Sequence, residues 1–191
     1  MIDEVLVFLK NYLNAYLNSR AGITSGVSAE DKVVFIDGDK MDPIHFKLGA
    51  VTALLVNVEE ERVLRPAEPY TANLSSRKVK VQPEIRMNLY VLFVARFKEY
   101  KEGLRYLSMI IQYFQNRRVL EHQNAPELSD RIDRLVIELK TLPLAQQNEL
   151  WNALRTAYHP SVLYKVNMAV FRDEDAMEMP EISETRMSLT E

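Results

Sequence analysis

Residues 84–97 read EIRMNLYVLFVARF. Met87, Leu89, Val91, Phe93, Ala95 and Phe97 fall on every second position, the period of a β-strand that buries one face. The intervening set, Arg86, Asn88, Tyr90, Leu92, Val94 and Arg96, is itself partly apolar. A strand with one dry face and one half-dry face belongs in the middle of a sheet, with something covering its second face. Helix cover and contact with another subunit are both open as the source of that cover.

On either side of this strand the chain supplies its neighbours. Residues 50–61 (AVTALLVNVEEE) form a second long extended run, and Val33-Val34-Phe35-Ile36 a short one. Leu135, Ile137 and Leu139 alternate with Arg134, Glu138 and Lys140, a strand with one wet face. In 161–171, Val162, Tyr164, Val166, Met168 and Val170 share a face. Three segments carry the helical period instead. In 2–19, Ile2, Val5, Leu6, Leu9, Tyr12, Leu13, Tyr16 and Leu17 line one side, with Asp3 and Glu4 at the positive N-terminal end. In 98–116 the spacing predicts a buried face of Tyr100, Leu104, Leu107, Ile110, Ile111 and Phe114. Pro143 opens the third helix at a favoured early position, and that helix carries Leu150, Trp151 and Leu154. Helices alternate with strands only in the second half, so the expected class is α+β, a single domain with a mixed β-sheet packed by about three α-helices. The expected bounds are 1–172 for the domain and 173–191 for a polar C-terminal tail.

Between the two longest strands lies a polar connection, 62–83, containing Pro66, Pro69 and Pro83. Structureless connections beyond about 12–15 residues are uncommon inside compact domains and usually carry function or disorder. This arm holds Arg62, Arg65, Tyr70, Arg77, Lys78 and Lys80.

Composition narrows the function classes. The chain has 191 residues, 47% hydrophobic and 27% charged, enough for a core without staples. A net charge of −3 is too weak a field for a nucleic-acid or anionic-membrane binder. There is no cysteine, so disulfides, thiol nucleophiles, Cys-ligated zinc and iron–sulfur clusters are excluded. Asp3, Glu4 and Lys10 interrupt the first apolar stretch, which therefore reads as neither a secretion signal nor a membrane span. The expected location is the cytoplasm, at least during assembly.

No catalytic motif is legible. His45, His122 and His159 are scattered singly, without metal-ligand spacing. Asp37-Gly38-Asp39-Lys40-Met41-Asp42 fails the calcium-loop pattern, because Met41 stands at the fifth position and Asp42 at the sixth, where Gly is needed. Glu59, Glu60 and Glu61 at a strand end read as a solvated edge rather than an acid–base pair. G-x-S-x-G elbows, P-loops, H-E-x-x-H and dinucleotide fingerprints are absent. A structural protein without cofactor or metal is expected. A small enzyme would have to draw on residues such as Asp37, Asp39 and His45.

The run Leu150-Trp151-Asn152-Ala153-Leu154, followed by Tyr158, Pro160-Ser161-Val162 and Tyr164-Lys165-Val166, resembles a hallmark of one family. That family is the cap, or tail-terminator, proteins of phage-tail-like contractile injection systems. The helix segment from Leu107 to Phe114 and the strand from Asn88 to Val94 are similar to further features of it. The resemblance covers about residues 1–172 and implies a tail-terminator-like mixed sheet packed by helices. It also implies a hexameric ring that closes the inner tube, anchors the last sheath layer distal to the baseplate, and has tube and sheath proteins as partners. Many relatives continue into a further C-terminal region, whose functions the resemblance leaves open. On this reading the arm residues Arg62, Arg65, Tyr70, Arg77, Lys78 and Lys80 contact the tube, sheath or neighbouring subunit; a solvated loop is the alternative. The tail, 173–191, either adds a strand to the sheath or has no fixed structure. An assembly adaptor or chaperone not retained in the particle is the alternative function.

Overall fold

The computed structural model describes residues 1–20, 31–38, 43–61, 71–74, 77–80, 85–171 and 177–178. Strand β5 (Ile85–Arg96) runs between β2 (Ala50–Glu60) and β8 (Ser161–Phe171), antiparallel to both. The sheet continues through β7 (Arg134–Lys140) to β6 (Val119–Glu121), and on the other side ends at β1 (Val33–Val34), parallel to β2. The six-stranded order is β1-β2-β5-β8-β7-β6, a mixed sheet. With the three helices of the described residues, α1 (Ile2–Arg20), α2 (Tyr100–Asn116) and α3 (Leu144–Ala153), it gives the expected α+β class.

Both faces of β5 are dry, as its alternation predicts, and each belongs to a separate core. Leu89, Val91, Phe93 and Ala95 pack with α1, α2 and the inward residues of β7 and β8. Leu92 and Val94 pack on the opposite side with Phe46, Trp151 and Leu163. The cover on the second face therefore comes from the chain's own α3 and the segment around Phe46, which takes that stretch of β5 away from subunit contact.

Helix α2 sits one step round from its predicted face. Gly103, Leu107, Ile110, Tyr113 and Phe114 are buried, whereas Tyr100 and Leu104 are 67% and 41% exposed. Gly103 faces the sheet, where a Cβ would stand at ordinary contact distance, 3.5 Å, from the side chains of Ala95 and Phe97. With the buried face running through Gly103, Tyr100 and Leu104 turn outward. Leu139, predicted inward, is 51% exposed because it lies past the three-residue reach of β6.

The two-residue strand β1 is held by a side chain rather than by a longer ladder. Asn14 of α1, 5% exposed, donates from Nδ2 to the Val33 carbonyl at 2.9 Å. Its Oδ1 accepts from the backbone N–H groups of Lys32 and Val33 at 2.9 and 2.8 Å. The amide thus stands in for the neighbour that an edge strand lacks. Among the described residues no helix is long and apolar enough to cross a membrane.

Two stability outcomes follow. Asn14→Leu strands two donors and an acceptor and is expected to cost about 3 kcal/mol in urea unfolding; a change under about 0.5 kcal/mol would show that β1 is held by other means. Trp151→Ala is expected to cost about 3–5 kcal/mol. For a chain of this size that is roughly a 10 °C fall in Tm, and an unchanged Tm would contradict a core role for the indole.

Candidate assembly interface

The arm is not a bare connection. Within it lie β3 (Thr71–Leu74) and β4 (Arg77–Lys80), an antiparallel hairpin pairing Thr71 with Lys80 and Leu74 with Arg77. Strand β9 (Met177–Glu178), from the stretch read as a tail, pairs with the free side of β4, joining Val79 to Glu178 and Lys80 to Met177. The resulting sheet has the order β3-β4-β9. Each strand is the sequence continuation of a main-sheet strand: β3 follows β2, β4 precedes β5, and β9 follows β8. The order β2-β5-β8 is thus repeated beyond the end of the main sheet. Propensity reading missed this because the stretch is short, charged and broken by prolines, and because a two-residue strand has no period to detect.

Of the predicted contact residues, Arg77, Lys78 and Lys80 fall on β4, while Arg62, Arg65 and Tyr70 lie outside the described residues, as do most of the tail and Asp39. His45 donates from Nδ1 to the Pro43 carbonyl at 2.7 Å, a turn contact. His159 sits edge-on to Phe46 at 5.6 Å and 6.1 Å from Trp151, a packing contact. Among the described residues no group of three His, Asp or Glu side chains is placed to hold a metal ion.

A polar ladder crosses the sheet where the second face runs out of apolar cover. Asn88, 3% exposed, donates from Nδ2 to Glu61 Oε2 at 2.9 Å and accepts at Oδ1 from Asn167 Nδ2 at 2.8 Å. Lys165 Nζ lies 3.4 Å from the same Glu61 oxygen, with the two side chains 19% and 12% exposed. Tyr90 donates its hydroxyl to Glu59 Oε2 at 2.8 Å. Burial first, and then the Glu59 carboxylate, push the Tyr90 phenol up to about 12. Glu61 is therefore no solvated edge residue, contrary to the reading of the Glu59–Glu61 run. The signal was present elsewhere: Asn88, Lys165 and Asn167 are polar positions within otherwise apolar strands.

Beside α3 a groove of about 240 Å³ is lined by Leu139, Leu142, Trp151 and Leu163. The helical part of the hallmark, Leu150, Trp151 and Leu154, lies on this side of the sheet, whereas Val162, Tyr164 and Val166 face the larger core on the other. Trp151 meets Tyr158 and Phe46 edge-on at 5.4 and 6.1 Å, and the Pro160 carbonyl accepts from Ala95 N–H at 2.9 Å.

Residues 4–185 match the sequence profile of the Pvc16 N-terminal domain. The chain belongs to that family. Its fold is similar to a solved structure described as the PVC sheath/tube terminator, in the extended state, of an extracellular contractile injection system. The TM-score is 0.62 at 14% identity, with all of this chain covered. It is also similar to the anti-feeding prophage cap, described as the AFP tube terminating cap, with a TM-score of 0.54 at 14% identity over 93% of this chain. No curated protein matches. The chain spans 64% and 60% of those two structures, just under two thirds of each. The Pvc16 N-terminal domain of this chain thus has the tail-terminator fold that the resemblance implies.

Burial, and then the nearby Arg96 guanidinium, hold the His159 imidazole below its usual pKa. The unfolded chain takes up a proton near pH 6.5 while the folded chain resists it. Stability is therefore retained above that pH and lost as pH falls from there to the lower folded value. Urea midpoints at pH 7.5 and 5.5 are expected to fall less for His159→Phe than for the parent; equal falls would remove His159 from the acid response.

Proposed function

We propose that the chain is a structural cap that ends the inner tube of a contractile injection particle and anchors its last sheath layer at the end away from the baseplate. The observation that carries this reading is the whole-length likeness to a sheath/tube terminator, within a matching family. The chain acts as a ring of six copies assembled in the cytoplasm onto the tube end, with tube and sheath proteins as its partners. Closed rings need heterologous contacts, in which one patch meets a different one on the neighbour. A domain spanning 1–172 forms the body, and the arm 62–83 reaches the tube through Arg62, Arg65, Tyr70, Arg77, Lys78 and Lys80. The tail, 173–191, contributes β9 to the arm's small sheet. The role is not catalytic: both similar structures are, by their descriptions, terminators of a tube or sheath.

Negative-stain imaging and mass photometry of the chain, alone and with its tube protein, test this. A ring of about six 22.2 kDa copies, or density at one end of each tube, is expected. A monomer that ignores tubes and is missing from purified particles would instead mark an adaptor or chaperone. Deleting residues 66–80 is expected to leave a folded body that no longer limits tube length. Normal capping by that deletion would take the arm out of the contact.

A further inference from the structure

The polar ladder on the second face touches the three strands that continue into the arm, close to the departing ends of β2 and β5 and in the middle stretch of β8. Glu61 is the residue after β2, its backbone N–H still bonded to the Arg86 carbonyl of β5 at 2.7 Å, and the chain goes on from it towards β3. Asn88 sits three residues into β5, which is fed by β4. Lys165 and Asn167 lie on β8, which runs on towards β9. Asn88 is paired across the ladder with Asn167 and bonded to Glu61, so one buried amide ties all three strands together.

We infer that the Glu61–Asn88–Asn167–Lys165 ladder is the anchor that orders the arm, fixing β3, β4 and β9 relative to the main sheet. These are positioning residues; nothing places them in contact with a partner. The physical case rests on what apolar packing cannot do. Hydrophobic contact is non-directional, and apolar side chains at these positions would hold the strands together without fixing a single arrangement. A carboxylate that accepts from an amide and faces an ammonium has a narrow set of acceptable geometries, and with the chain largely withdrawn from water a departure leaves buried polar groups unmatched. The ladder stands beside the apolar patch of Leu92, Val94 and Leu163 on the same face. The inference rests on the cap reading only for what the ordered arm is used for.

Amide hydrogen exchange on the isolated full chain tests it, read separately at 71–80 and at the central stretch 89–95. Lys165→Met and Asn167→Ala are each expected to speed exchange at 71–74 and 77–80 about tenfold, with little change at 89–95. The double exchange Glu61→Lys with Lys165→Glu is expected to recover much of the protection, since amide flips of Asn88 and Asn167 together accommodate the reversed pair. Unchanged exchange at the hairpin in both single variants overturns the inference, as does equal acceleration at the hairpin and at 89–95, which would make the ladder an ordinary part of the core. Should Lys165→Met fail to fold, Asn167→Ala decides in the same way, because it strands no charge. The exchange readout needs no tube. A parent chain with an ordered arm that caps no tubes would refute the cap reading and leave the anchor standing.

Discussion

Strand β5 is shared between two cores, and that sharing constrains everything around it. Its odd-numbered residues complete the core under α1 and α2, while Leu92 and Val94 complete the smaller one under Trp151 and Phe46. In a sheet with one wet face, a slip of one residue exposes an apolar set. Here it would also push Asn88 and Tyr90 into the larger core and pull Leu89 and Val91 out of it. Register is therefore specified from both sides at once. Because β2 and β8 are paired to β5 along most of their length, their registers follow from it.

The second face of this three-strand ribbon changes character along its length. It is apolar where α3 and the segment around Phe46 cover it, and becomes a set of matched polar groups towards the ends from which the arm departs. A buried ion pair adds little net stability, because desolvation offsets most of the attraction. Its retention at Glu61 and Lys165 is better explained by direction than by strength. The body of the domain is held by packing, and its junction with the arm by bonds that have angles.

How much of this could be read from residues depends on the length of the pattern each element carries. The long strands around Val91, Val51 and Val166 and the three helices show their period over many residues, and packing supports that period, so class and central order were legible. What was missed is short or is set by a tertiary neighbour. Strands β3, β4 and β9 are two to four residues each, and β4 and β9 pair across nearly a hundred residues. Helix α2 was read one step off because apolar spacing alone favours Leu104, whereas the face that packs on Ala95 and Phe97 runs through Gly103, which carries no apolar side chain to signal it. Likewise, three consecutive glutamates look solvated until Asn88 and Lys165 arrive beside the last of them. The family hallmark, by contrast, was legible because Trp151, Pro160 and Tyr164 stand within one short piece of sequence, although Trp151 and Tyr164 face opposite cores.

Under the proposed cap role, the same distribution of constraints bears on what the end of a tube requires. A terminator must present a fixed surface to a polymer while carrying neighbours of its own, so forces on an extension must reach the body without loosening it. An extension that repeats the order of the three central strands is placed to pass them to β2, β5 and β8, which are held from both faces. On that reading the alternation in 84–97 that sets the fold also holds β5, the strand that β4 precedes, from both faces.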